Sequence, residues 1–78
     1  MTTYLADRIT VDPEVCHGKP TIRGSRLMVK TVLEYLAAGD TTAEILAYHS
    51  WLTPEDVAAC MRFAVALMDN QYTIKHVA

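Results

Sequence analysis

The residues with the strongest chemical character lie in one basic segment, residues 18–30. Lys19, Arg23, Arg26 and Lys30 all fall within it, and glycines stand among them. Because glycine lets the backbone turn sharply, we expect the arginine side chains to extend outward together. Guanidinium groups suit carboxylates and phosphates, to which each can donate two parallel hydrogen bonds. The segment therefore predicts a partner-binding site formed by these four residues, with a solvated basic loop as the alternative.

Other chemistries have less support in the residues present. Lys19 is followed by Pro20, where a phosphate-binding P-loop has Ser or Thr. Cys16 and His17 are adjacent, but no second closely spaced pair completes a metal site. Cys60 takes a core-facing helical position, where a thiol is usually inert. We therefore predict no catalytic residue, no metal site, no cofactor and no enzymatic activity.

Length and composition place the chain among small globular proteins. Its 78 residues, 51% of them hydrophobic, suffice for a single domain over residues 1–78. A core of this size contributes only about 3–5 kcal/mol, so added support from oligomerisation is expected. The two cysteines form no Cys-x-x-Cys pair, and no apolar run reaches the length of a membrane span. These features predict a cytoplasmic protein that does not enter a membrane.

Charge is distributed unevenly along the chain. The net charge is −2, which argues against a surface that attracts nucleic acid in general. Five of the seven basic residues lie within the first 30 positions, whereas six of the nine acidic residues follow them. The basic front of the chain is therefore the part suited to an anionic partner.

Periodicity and capping residues predict two short helices. Apolar residues recur at i, i+3, i+4 and i+7 over residues 29–38, and Gly39 supplies a residue that ends a helix. Thr41 and Glu44 have the spacing of a capping box, so a second helix begins there. The side chains expected to face inward from this second helix are Ile45, Leu46 and Tyr48.

A third helix is predicted over residues 54–70. Thr53 can serve as its N-cap, Pro54 suits the first helical position, and acidic residues follow where the helix dipole favours them. Its apolar side chains cover an arc of roughly 200°, about twice what a monomer's surface helix needs. We therefore predict a homodimer whose interface is built from Phe63, Val65, Leu67, Met68 and Met61.

The front of the chain has strand-like alternation. Ile9 and Val11 alternate with polar residues, and residues 21–23 form a second short extended segment closed by Gly24. The predicted organisation is thus a β-hairpin and basic loop over residues 8–28, and a three-helix bundle over residues 29–70. Residues 71–78 form a tail whose pattern leaves its structure open.

The second and third helices, joined by residues 50–53, have the lengths of a helix-turn-helix. Glu55 and Asp56 at the start of the third helix would be repelled by phosphates, which favours a scaffold role for that helix over base reading. Trp51 in the turn is expected to plug the corner of the helical core rather than stack on a base or a partner. If DNA is bound, the candidate contacts are Arg8, Lys19 and Lys30.

Several segments together resemble a known family of small bacterial proteins. The pattern Gly-Lys-Pro-x-Ile-x-Gly-x-Arg over residues 18–26 is the most specific of them. The others agree in order and with few gaps, so that the similarity covers about residues 8 to 68. On these residues the chain is identified as a member of the domain of unknown function 433 family. The other matching segments are residues 9–13, 16–17, 42–45 and 52–57.

The resemblance implies a mainly α, homeodomain-like helix-turn-helix fold with a short N-terminal β-hairpin. It also implies a function, because many members are thought to be antitoxins encoded beside a PIN-like ribonuclease toxin. The protein would then be the antitoxin of a type II toxin–antitoxin module, binding the toxin directly and repressing its own promoter. PIN-type nucleases gather carboxylates at a metal-dependent site, with which Arg23 and Arg26 would pair. A stand-alone DNA-binding regulator and a small dimeric adaptor stay open as alternatives.

Overall fold

The computed structural model of the protein describes residues 2–70, in which three helices follow a small antiparallel sheet. The predicted tail, residues 71–78, lies outside the described residues. The strands are β1 (Thr3–Ala6), β2 (Ile9–Val11) and β3 (Thr21–Ile22), and the helices are α1 (Val29–Ala37), α2 (Thr42–Tyr48) and α3 (Pro54–Asn70), with one 3₁₀ turn at Cys16–Gly18.

The helices begin and end where the capping residues predict. Gly39 follows α1 with φ +100°, a conformation that glycine adopts without steric cost. The capping box of α2 is present, since the Glu44 N–H donates to Thr41 Oγ1 (3.2 Å) and the Thr41 N–H donates to Glu44 Oε1 (2.8 Å). The hydrogen bond from the Thr41 amide also lowers the pKa of Glu44. Local signals therefore account for the helix boundaries.

The sheet has one strand more than the predicted hairpin. β2 pairs antiparallel with β3, as expected, with Ile9 opposite Ile22. β1 then pairs with the other edge of β2, giving the order β1-β2-β3. The sequence did not reveal β1 because all four of its residues are exposed, so it has no alternation of buried and exposed side chains.

One hydrophobic core joins the sheet to the three helices. Tyr48 was predicted to face inward, but it is exposed and its hydroxyl donates to Asp40 Oδ2 at 3.0 Å. The Cys60 thiol is fully buried, and this burial raises its pKa to about 11. No helix within residues 2–70 is long and apolar enough to cross a membrane. The buried hydrophobic residues are Ile9, Ile22, Leu27, Val29, Val32, Ile45, Leu52, Val57, Ala59 and Cys60.

Candidate partner-binding site

Asp56, in the first turn of α3, is the buried centre of an ion cluster. Its side chain is 0% exposed. Arg23 donates to it twice, from Nε to Oδ1 (2.9 Å) and from Nη2 to Oδ2 (2.8 Å), and Arg8 Nη1 donates to Oδ1 (3.0 Å). The Thr53 backbone N–H adds a bond to Oδ2 at 3.1 Å. The carboxylate thus joins both turns of the sheet to the start of α3.

The two arginines reach Asp56 because each stands in a tight turn at the end of a strand. Arg8 (φ 66°) lies between β1 and β2, and Arg23 (φ 47°) follows β3 directly. Left-handed backbone is uncommon for residues other than glycine, so the surrounding contacts must hold both turns in place. The ion cluster supplies such contacts.

The protonation of Asp56 follows from two opposed effects. Burial raises the pKa of its carboxyl, but hydrogen bonds from Arg23, the Thr53 amide and Arg8 outweigh burial and lower that pKa to about 2. In return, the hydrogen bond to Asp56 raises the pKa of Arg23. The cluster is therefore ionised throughout the physiological pH range.

Trp51 lies over this cluster and not inside the core. It was expected to plug the corner of the helices, but the residue is 42% exposed. The Arg23 guanidinium carbon lies 5.6 Å from its ring centroid, and Arg23 Nη2 donates to the Trp51 carbonyl at 3.3 Å. A cation over an indole face is a favourable contact. The turn between α2 and α3 therefore presents part of an aromatic surface to solvent.

The prediction that Arg23 and Arg26 extend outward together is wrong for Arg23, which bonds to Asp56 and Trp51. Arg8, a candidate DNA contact, is likewise bonded to Asp56. Lys30 is exposed and lies 3.4 Å from Glu34. Within residues 2–70, Lys19 and Arg26 are exposed and make no ion pair. Of the predicted cations, these two are available to a partner.

The backbone around Arg26 is fixed by short-range and cross-strand bonds. The Gly24 N–H donates to the buried Thr10 hydroxyl (2.8 Å), and the Leu27 N–H donates to Ser25 Oγ (3.1 Å). The Cys16 thiol donates to the Arg26 carbonyl at 3.4 Å. Arg26 is therefore presented from an ordered loop, which reduces the entropy lost when it binds.

Arg26 lines a small depression that we call the Arg26 pocket. Its volume is about 290 Å³, and its lining residues come from the basic segment and the α2–α3 turn. His49 contributes to it, and the Nε2 atom of His49 is buried without a hydrogen-bond partner within residues 2–70. The His49 and Trp51 ring centroids are 6.1 Å apart. The lining residues are Ser25, Arg26, Leu27, His49 and Trp51.

The pocket combines a cation with apolar and aromatic walls. A carboxylate could accept bidentate hydrogen bonds from Arg26, while its aliphatic stem packs on Leu27 and Trp51. The single unpaired cation suits one negative charge better than a doubly charged phosphate. The arrangement is therefore suited to an aspartate or glutamate side chain.

Most of the side chains predicted for a dimer interface are exposed on α3. Met61, Val65, Leu67 and Met68 are all exposed, whereas Phe63 is half-buried against the core. Phe63 and Leu67 also line an apolar groove of about 390 Å³ between α1 and α3. The second half of α3 thus presents hydrophobic surface that the described residues do not cover.

Sequence reasoning missed Asp56 and His49 as parts of the site. Thr53 and Asp56 have capping spacing, and the Asp56 N–H does donate to Thr53 Oγ1 at 3.2 Å. That local role gave no sign of partners 33 and 48 residues away. His49 had no signal, because its place in the pocket depends on how α2 packs.

Comparisons with known proteins agree with this architecture. A family model described as "Protein of unknown function (DUF433)" matches residues 9–64. The fold is similar to the crystal structure of a DUF433 member protein from Anabaena variabilis, with a TM-score of 0.75 and 31% sequence identity. The match covers 86% of this chain and 66% of that one, so the chain spans just under two thirds of that protein's length. No curated protein matches the sequence.

Proposed function

Since the chain belongs to the DUF433 family, which is described as of unknown function, we propose from the geometry of the chain itself that it binds a partner protein as an antitoxin. The contact is made by Arg26, supported by Lys19, and the partner is a ribonuclease. The observation that carries this proposal is the Arg26 pocket, in which a cation without an ion pair within residues 2–70 lies beside an exposed indole.

The ion cluster supports the choice of Arg26 over Arg23. Arg23 already uses Nε and Nη2 to bind Asp56, so a partner that drew its guanidinium away would break two hydrogen bonds to a buried carboxylate. Arg26 loses no such contact when it binds. Arg23 therefore holds the Trp51 side of the pocket, while Arg26 is the residue that touches the partner.

A protein partner fits the surface better than DNA does. A major-groove reader presents polar or basic side chains from the start of its recognition helix. In α3 that start holds exposed Glu55 and buried Asp56, and the later turns expose Met61, Val65 and Met68. Phosphates would be repelled by Glu55 and would gain nothing from the exposed apolar side chains.

The antitoxin role expected for many family members suggests how binding would act on the partner. PIN-like nucleases hold their metal with carboxylates, and Arg26 would bind one of these in place of the metal. The nuclease would then lose both its metal and its RNA substrate. In this proposal the three helices, arranged as in a homeodomain-like helix-turn-helix, are the scaffold, and the complex acts in the cytoplasm.

Purification of the chain from its native locus, followed by native mass spectrometry, tests the proposal. We expect a nuclease-sized partner in stoichiometric amount. The paired substitution Lys19→Gln with Arg26→Gln should weaken its binding at least about tenfold, since charge-assisted hydrogen bonds are lost. Lys30→Gln is the matched control. The ammonium group of Lys30 already faces Glu34, so this substitution should leave affinity for the nuclease unchanged.

Two results would overturn the proposal. If the neutralised pair binds the nuclease as tightly as the unmodified chain, the site is elsewhere. If no protein accompanies the chain and it binds its own promoter with steep salt dependence, it is a DNA-binding regulator.

A further inference from the structure

The second half of α3 carries a face whose apolar residues lie in one narrow stripe. Met61, Val65 and Met68 are 42%, 60% and 65% exposed. At 100° per residue they fall within an arc of about 60°. Ala64, Phe63 and Leu67 lie to one side of this stripe, along the groove with α1.

Charged residues lie along the opposite side of the stripe. Arg62 and Asp69 are seven residues apart, so they stand within about 20° of each other on the same flank. Arg62 comes no closer than 4.0 Å to Asp7, and both of these side chains are largely exposed. Such a contact contributes little and can be exchanged for another.

From this pattern we infer that α3 binds α3 of a second copy of the chain, antiparallel, about a twofold axis near Val65. A twofold axis perpendicular to two antiparallel helices brings the same flank of each helix together. An axis near Val65 lies midway between Arg62 and Asp69. Arg62 of each copy then faces Asp69 of the other, and the pair forms twice.

Charge complementarity favours a second copy of the chain as the partner of this face, and an antiparallel orientation of the two helices. The face is complementary to itself, because an apolar stripe meets an apolar stripe and a cation meets an anion. In a parallel pair the two flanks lie on opposite sides of the interface, so Arg62 and Asp69 could not meet. Covering the stripe also adds the support that a small core needs.

Charge reversal tests the arrangement directly. Arg62→Glu and Asp69→Arg each convert both cross-helix attractions into repulsions, so each should raise the dimer dissociation constant about tenfold or more. The double variant Arg62→Glu with Asp69→Arg restores opposite charges and should return the constant to within about threefold of its original value. Sedimentation equilibrium of the full chain measures all four proteins.

Controls separate this outcome from damage to the fold. Glu14→Lys, a reversal at an exposed site outside α3, should leave the dimer unchanged. Val65→Asp should give a folded monomer, with helix content followed by circular dichroism. The inference fails if the unmodified chain is monomeric at every concentration, if single reversals leave the dimer intact, or if the double variant is as weak as the singles.

Discussion

Arg23 and Arg26 stand three residues apart in one loop, yet they have different physical roles. Arg23 donates three hydrogen bonds, two to Asp56 and one to the Trp51 carbonyl. Arg26 is exposed and has no ion pair within residues 2–70. The loop therefore uses one arginine to hold the fold together and leaves the next free for a partner.

The difference comes from backbone geometry and not from residue type. Arg23 follows β3 in a left-handed conformation that directs it across the sheet edge to the start of α3. Arg26 comes after the turn at Gly24 and Ser25 and makes no ion pair with α3 within residues 2–70. A pair of cations in such a loop should thus be divided into structural and binding members before mutagenesis.

The largest effect should come from breaking the cluster at its centre. Asp56→Ala leaves two arginines without their carboxylate and should lower the free energy of unfolding by about 3 kcal/mol. Arg26→Ala is the matched change outside the cluster and should alter it by less than about 0.5 kcal/mol. Urea unfolding followed by circular dichroism, at one fixed protein concentration, compares them. Equal decreases in the free energy of unfolding for the two variants would remove the distinction between the ion cluster and Arg26.

Acid should weaken the cluster in a defined pH range. The folded pKa of Asp56, about 2, lies below the ordinary value of 3.8, so its contribution is fully present above about pH 4. That contribution, roughly 2 kcal/mol, should be lost as the pH falls from 4 towards 2. Asp56→Asn, measured beside the unmodified chain, should show a shallower fall over this range. Identical slopes would mean that other carboxyl groups account for acid sensitivity.

Smaller effects on stability are expected from removing either arginine of the cluster, and their sizes should differ. Arg8 gives Asp56 one hydrogen bond and Arg23 gives it two, so Arg8→Ala should reduce the urea midpoint less than Arg23→Ala does. Both residues already hold a Cβ atom at positive φ, so alanine adds no new backbone strain at either site. The reverse order would show that Arg8 and not Arg23 is the principal partner of Asp56.

Much of the fold could be predicted because its signals are local. The start of α2 follows from Thr41 and Glu44, the end of α1 from Gly39, and the start of α3 from Pro54. These residues act within one helical turn, so residues that are close in the sequence are also the ones in contact. β1 escaped prediction because it is held by backbone pairing at an exposed edge.

The site was less predictable because its signals are long-range. The sequence marks Asp56 as a capping residue, which it is, but its burial depends on turns brought from the front of the chain. The prediction for Trp51 was wrong for a related reason, since its ring lies against Arg23, which is 28 residues away in the sequence. A charge or an aromatic ring acquires its role here only after the sheet has packed on α3.

The two cysteines of the chain differ in reactivity, which has a practical consequence. Cys60 is buried with its pKa raised to about 11, so near neutral pH it is almost entirely the thiol, the form that does not attack electrophiles. Cys16 is half-buried, and its thiol is bonded to the Arg26 carbonyl. Since the sequence holds no other cysteine, an alkylating fluorophore reports from a single native position, one hydrogen bond away from Arg26.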